Sequence, residues 1–213
     1  MTSMAVGSDN TMYMTINSDF FGSVDGKLYY FIEGDPTQVK VFSIDSEPFL
    51  SPPVIDANGL LYIGGVGKIF AIDTNRLKSD QSKDPVAWTH TSDDPEERFE
   101  NPPAIGSDGT VYFPSDKGAL YALNEDGTRR WKFVSAHLPA SPFLTPVVDK
   151  NGVIYVAESE FSKSTIYALD DDSTLINQLD LGRGVHTPVV SADGMIYAPS
   201  RGKIGRASCR ERV

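Results

Sequence analysis

The chain repeats itself, and that constrains its fold more than any other feature. Four segments share one layout: Pro53 to Tyr62, Pro103 to Tyr112, Pro146 to Tyr155 and Pro188 to Tyr197. In each, a glycine (Gly59, Gly109, Gly152, Gly194) follows the proline at one fixed offset, and the tyrosine follows the glycine at another. A fainter copy opens the chain between Met4 and Tyr13, with Asn10 in the glycine place. That exchange is chemically sensible, because Asn also accepts a positive φ. Successive tyrosines lie roughly 40–50 residues apart, a spacing at which one small supersecondary unit is stacked on copies of itself.

Local chemistry defines the unit. Asp-Gly or Asn-Gly between two apolar runs is a tight-hairpin signal, joining a first strand near the proline to a second at the tyrosine. The second strands, Leu60–Ile63, Thr110–Phe113, Val153–Val156 and Met195–Ala198, are almost continuously apolar. A strand carries that pattern when both faces of its sheet are covered. A third strand follows, reading Gly26–Tyr30, Gly67–Ala71, Gly118–Ala122 and Ser164–Ala168. It places the small residues Ala71, Ala122 and Ala168 at one position, where the first copy has Tyr30. A fourth strand is centred on Phe42, Trp88, Trp131 and Leu179. Each alanine is expected to leave room for a bulky ring from the adjacent unit, with Trp88 and Trp131 as the candidate rings. No window shows helical periodicity, and 18 Gly with 14 Pro interrupt the chain too often for long helices.

The expected fold class is therefore all-β: a β-propeller of four-stranded antiparallel blades, in which neighbouring blades cover each other's faces. The chain supplies about four blades, at 4–44, 52–90, 102–134 and 146–180, and part of a fifth at 187–203. The ring is expected to be incomplete and the chain a fragment, leaving apolar end faces open and the protein prone to associate. Residues 204–213 resemble a translated sequencing adapter and are expected to be a non-native tail, which confines the native domain to 1–203. The only cysteine, Cys209, falls in that tail. The rest offers no disulfide, thiolate metal site or cysteine nucleophile.

Asp and Glu number 29 against 19 Lys and Arg, a net charge of -10. That balance argues against nucleic acid or an anionic lipid surface as a partner. No apolar run reaches the length of about 20 residues needed to span a bilayer, and no signal peptide is visible.

The motifs Pro-Val-Val, Asp-Gly-x-x-Tyr, Gly-x-Leu-Tyr-Ala-Leu-Asp and a following Trp resemble the pyrroloquinoline-quinone (PQQ) type repeat, the quinoprotein or tryptophan-docking propeller. The fullest copy is Pro103 to Phe133, with Tyr121-Ala-Leu-Asn124, Gly127 and Trp131. The resemblance covers roughly residues 4 to 203. It implies a ring of seven or eight blades and a place outside the cytoplasm: periplasmic, cell-surface or secreted. Quinone dehydrogenases of this kind also carry a vicinal cysteine pair, a Trp under the quinone and Glu, Asn and Asp ligands to calcium; residues 1–203 hold no cysteine.

No catalytic, cofactor-binding or metal residue is assigned, and no cofactor is expected. Asp170-Asp171-Asp172 and Asp93-Asp94-Pro95-Glu96-Glu97 lack EF-hand spacing and read as solvated acidic loops. Asp56, Asp108, Asp149 and Asp193 read as turn formers. His90, His137 and His186 fall in different repeats and suggest no triad. Five irregular stretches are the candidate binding loops at the propeller mouths: Ser18–Asp25, Thr74–Asp84, Thr91–Asn101, Ser135–Pro142 and Ser159–Ser164. The main expectation is a non-catalytic binding or assembly scaffold with a protein or small-molecule ligand at a mouth. The alternatives are a fragment of a PQQ-dependent dehydrogenase and the propeller sensor region of a larger signalling protein.

Overall fold

The computed structural model describes residues 4–20, 23–31, 39–44, 47–79, 84–136, 141–159, 164–181, 184, 186–191, 194–200 and 203–207. Among them the chain forms five antiparallel sheets, each built from strands that follow one another in sequence. Sheet 1 contains β1 (Met4–Val6), β2 (Met12–Phe20), β3 (Ser23–Phe31) and β4 (Val39–Phe42). Sheet 2 contains β5 (Val54–Ile55), β6 (Leu60–Gly64), β7 (Lys68–Asp73) and β8 (Val86–Thr91), with the short helix α1 (Thr74–Ser79) between its last two strands. Sheet 3 contains β9 (Ala104–Ile105), β10 (Val111–Pro114), β11 (Ala119–Leu123) and β12 (Arg129–Val134). Sheet 4 contains β13 (Val147–Val148), β14 (Ile154–Ser159), β15 (Ser164–Leu169) and β16 (Leu175–Leu181). Sheet 5 has three strands, β17 (Val189–Val190), β18 (Ile196–Ser200) and β19 (Lys203–Ala207). β19 pairs with β18 through its backbone, so residues 204–207, read as tail from the sequence, adopt strand geometry here.

The turn chemistry explains the first hairpin of each sheet. Gly59, Gly109, Gly152 and Gly194 have φ between 80° and 85°, and Asn10 takes 59° in the first copy. Each of these residues donates its N–H to a carbonyl three positions back, closing the turn. Asp56 and Asp149 accept N–H bonds from the residues two and four positions on. Pro53, Pro103, Pro146 and Pro188 are buried at the entrance to each first strand.

The chain divides into two compact units. The first comprises Met1–Pro103 with Asp126–Thr128; the second holds Ala104–Glu125 and Arg129–Val213. In the first unit, Tyr13, Leu28 and Tyr30 of sheet 1 share a core with Leu61, Ile63, Phe70 and Ile72 of sheet 2. In the second, Tyr112, Leu120 and Ala122 of sheet 3 meet Ile154, Val156, Tyr167 and Leu169 of sheet 4. Burying one such side chain is worth roughly 1.5–3 kcal/mol before entropy is counted, so a lone sheet has little to hold it together.

The sequence reading is corrected over the alanines. Tyr62, Ala71 and Trp88 lie in one cross-strand row, as do Tyr112, Ala122 and Trp131. Side chains in a row project from the same face. The ring over each alanine thus comes from its own sheet: Trp88 leans across Ala71 to Tyr62 at 5.9 Å, and Trp131 across Ala122 to Tyr112 at 5.7 Å. In sheet 4 the row is Tyr155, Ala168 and Asn177, so the tryptophan place belongs to Asn177; Leu179 pairs with Ile166 instead. Tyr197 pairs with Val189 and Arg206.

Two expected loops are also ordered. β2 and β3 pair out to Phe20 and Ser23, so most of Ser18–Asp25 is a long hairpin. Thr74–Ser79 is helical because Asp73 caps it, accepting N–H bonds from Asn75 at 2.9 Å and Arg76 at 3.1 Å. Two buried residues, Thr74 and Leu77, hold it down; a helix this short shows no sequence period.

Candidate functional site

Antiparallel order puts the β1–β2 and β3–β4 type turns at one end of a sheet, and the β2–β3 type turns and sheet-to-sheet connectors at the other. Four of the five candidate loops belong to the connector end.

In the first unit, the connector after β8 is pinned to the turn between β6 and β7. Ser92 N–H donates to Gly67 O at 2.8 Å, Gly67 N–H to Glu97 O at 2.6 Å and Phe99 N–H to Gly65 O at 3.0 Å. Glu97, read as part of a solvated acidic loop, is instead buried and accepts a hydrogen bond from Ser92 Oγ. In the second unit, Ser135 stands just after β12 as Ser92 does after β8. Its Oγ donates to Glu158 Oε2 at 2.8 Å, and Tyr167 OH donates to the same oxygen at 2.9 Å. Ser141 N–H reaches Glu158 Oε1 at 3.2 Å. Burial, then the bond to Glu158 and its charge, pushes the Tyr167 hydroxyl up to about 12. Two connectors thus end on buried carboxylates of different origin: Glu97 within the connector itself and Glu158 on β14. A carboxylate hidden from water needs these donors.

Phe49, Phe99 and Phe143, one in each connector, are fully buried. Phe49 meets Phe70 edge-on at 5.4 Å, and Phe143 lies 5.7 Å from Tyr167. The sequence reading passed over them. Their signal was present: each precedes a proline by the same interval, at Pro52, Pro102 and Pro146.

At the opposite end, each unit has a cleft between the first-hairpin turns of neighbouring sheets. In the first it measures about 120 Å³ and is walled by Asp9, Asp56, Asn58, Thr74 and Lys78. Lys78 Nζ holds Asp9 Oδ2 at 2.5 Å. That bond, helped by Thr11 and opposed by partial burial, lowers the Asp9 carboxyl to about 2. In the second unit the cleft measures about 320 Å³, with Asp108, Tyr112, Lys150, Asn151, Asp170 and Asp171 on its walls. Arg130 bridges Asp108 at 3.0 Å and Asp171 at 3.1 Å. Burial raises the Asp108 carboxyl, but bonds from Thr110 and Arg130 outweigh it and hold the group below its usual range. The first cleft is mostly polar and the second mixed, and beside each a cation ties one sheet to the next.

The other residues singled out from sequence do not assemble into chemistry. His90 Nδ1 lies 3.2 Å from Gly127 O, and His186 is exposed in the other unit. His137 and Asp193 lie outside the described residues. Among the described residues, no group of three His, Cys, Asp or Glu side chains is placed to hold a metal ion. The tryptophans do not fit a quinone-stacking role. Gly127 comes so close to Trp88 that a Cβ there would lie 2.6 Å from the indole. Trp131 Nε1 donates to Asp171 O at 2.8 Å.

This docking of an outer-strand indole on a following turn is the tryptophan signature of the repeat resemblance, and the family comparison agrees with it. Residues 76–205, more than half of the chain, match the PQQ-type repeat family described as outer membrane protein assembly factor BamB. The chain belongs to this family. Solved structures place the BamB-like chain among β-propellers. It superposes on streptogramin B lyase with a TM-score of 0.70 at 12% identity, covering 99% of this chain and 66% of that one. On BamB from Moraxella catarrhalis the TM-score is 0.65 at 15% identity, covering 93% and 54%. On virginiamycin B lyase from Staphylococcus aureus it is 0.66 at 12% identity, covering 98% and 70%. The chain therefore spans about half the length of that BamB and just under two thirds of streptogramin B lyase. At these identities the likeness concerns the fold, which serves both an assembly factor and lyases. A search of curated protein sequences finds no significant match. Among the described residues, no helix is long and apolar enough to cross a membrane.

Proposed function

We propose that this BamB-like propeller is a non-catalytic scaffold, acting outside the cytoplasm, that holds a protein partner during assembly of outer-membrane proteins. One observation carries the reading: the family match over residues 76–205. The site supports it, because in each unit the connectors are held against the strands of their sheets. Its loops are tied to strand turns by backbone bonds and buried carboxylates, and shape held without reorganisation is what a docking platform needs. In this reading residues 1–203 supply four blades and the start of a fifth, and the repeated Pro, Gly, Tyr, Ala and Trp residues build the scaffold rather than a reaction centre.

Deleting the gene in its host should lower the amount of folded outer-membrane barrels, read as heat-modifiable bands on a semi-native gel, and re-expression should restore them. Unchanged barrel levels overturn the assembly role. Dye reduction by the protein after addition of PQQ and calcium overturns the non-catalytic one.

A further inference from the structure

The two clefts are built from the same parts. Sheet 1 sets Gly7, Asp9, Thr11 and Tyr13 at alternate positions, and sheet 3 sets Gly106, Asp108, Thr110 and Tyr112 in the same way. Thr11 donates its N–H and its hydroxyl to the two oxygens of Asp9 at 3.2 and 2.9 Å, and Thr110 serves Asp108 alike at 3.1 and 2.8 Å. The following sheet completes each cleft, from its first turn and from the link between its third and fourth strands. That link is where the clefts part. In sheet 2 it is α1, and Lys78 of α1 fills the place: its ammonium holds Asp9 and lies against the hydroxyl of buried Tyr13. In sheet 4 it is the turn that starts at Asp170 and Asp171, which brings carboxylates and no cation. With no lysine from this link, the cleft measures about 320 Å³ against about 120 Å³. We propose that the second cleft binds a primary alkylammonium group in the place that Lys78 takes in the first.

The lining fits such a group in three ways. Tyr112 is 2% exposed and lines the cleft. Tyr62 donates its hydroxyl to Asp56 at 3.0 Å, but Gly106 stands in the corresponding position beside Tyr112 and offers no side chain. Thr110 next to it already donates to Asp108 and accepts from Arg130. Arg130 sends its own bonds to Asp108, Thr110 and Asp171. The Tyr112 oxygen is thus left to accept from a ligand, and an ammonium brings three donors. Charge is the second fit: Asp108, Asp170 and Asp171 outnumber Lys150 and Arg130, so a cation is drawn in and an anion repelled. The third is the mixed wall. Val148 and Val153 offer apolar surface to a methylene stem while the charged head meets the polar groups.

The inference goes beyond the scaffold reading and does not rest on it. It is tested by NMR on the whole isotope-labelled chain at neutral pH, titrated with n-butylammonium and separately with n-butanol. The amide signals of Asn151, Gly152 and Asp171 should shift saturably, with n-butylammonium binding at least about tenfold tighter than n-butanol. Tyr112→Phe removes the hydroxyl and keeps the ring beneath Trp131; Asp170→Asn keeps an acceptor for the turn. Each should weaken n-butylammonium by about fivefold or more while melting as the parent does. Equal binding of the two probes, shifts confined to other parts of the chain, or undiminished binding to either variant overturns the proposal. A peptide with a single lysine, compared with its norleucine counterpart, identifies the source of the group. Tighter capture of the lysine peptide than of n-butylammonium assigns the group to a partner's side chain, and weaker capture assigns it to a free amine. None of these results bears on barrel levels in the deletion strain, so the two readings fail separately.

Discussion

Trp131 and Asn177 hold the same place in successive blades of the second unit, yet their surroundings differ sharply. Trp131 leans over Ala122 onto Tyr112 and sends its N–H to the turn of the following blade at Asp171. Asn177 puts no ring over Ala168, which is buried with Tyr155 and Ile196 instead, and the strand that carries Asn177 is exposed along almost its whole length. Blade 1 solves the same problem a third way. There Tyr30 takes the alanine place, stacks on Tyr13 at 6.2 Å and donates its hydroxyl to Leu77 O in helix α1 at 3.1 Å. Three chemistries thus serve this row: an indole, a phenol and an amide.

The largest way to break this comparison is Gly127→Ala. The new Cβ meets the Trp88 ring at 2.6 Å, at a residue whose φ is 83°. The expected loss is about 3 kcal/mol or more, read as an earlier midpoint in urea. Trp131→Ala comes next, at about 2–3 kcal/mol, somewhat below the usual range for a core tryptophan because the ring is half-buried. A loss under about 0.5 kcal/mol, the range of an ordinary surface change, would show that the Tyr–Ala–Trp row is not a cohesive element. Asn177→Trp sharpens the contrast in the other direction and should raise stability by about 1 kcal/mol.

Smaller effects test the clefts and turns. The Asp9 carboxyl, held near 2 against an ordinary 3.8, adds stability that is present above about pH 4 and disappears as the pH falls towards 2. Because Asp9 is largely exposed, solvent screening reduces this contribution to about 0.5–1 kcal/mol. Asp9→Asn should flatten acid unfolding in that window, and an unchanged profile would show that the Lys78 clamp carries no stability. Ser173, at φ 75°, occupies in blade 4 the turn place that Gly127 fills in blade 3. Ser173→Gly should therefore stabilise by about 0.5 kcal/mol, whereas the corresponding change at an ordinary position destabilises.

These contrasts also mark how far the chain could be read before its structure. Most local structure was legible, the short helix α1 and the length of the β2–β3 hairpin excepted. The Asp-Gly turns, the four-strand unit, the alternation of Tyr62 and Ala71 places and the β-propeller class depend on residues within a few positions of one another, and backbone sterics and strand period act at that range. The site was less legible. Glu97 and Glu158 look like surface acids in sequence because their serine partners stand 5 and 23 residues away. Phe49, Phe99 and Phe143 repeat, but between strands, where no secondary-structure period draws attention to them.

By itself the sequence determined the repeat, its turns and which strands must be covered on both faces. Only the tertiary structure decided what covers them: that Trp88 and Trp131 cross their own sheets, that Tyr30 reaches α1, and that Ala168 is buried with Tyr155 and Ile196 rather than under a ring from its own outer strand. The physical reason is range. A turn is chosen by the φ its own residues tolerate, whereas a docking place is chosen by whatever another part of the chain brings to it, and close packing makes that choice only once both are folded.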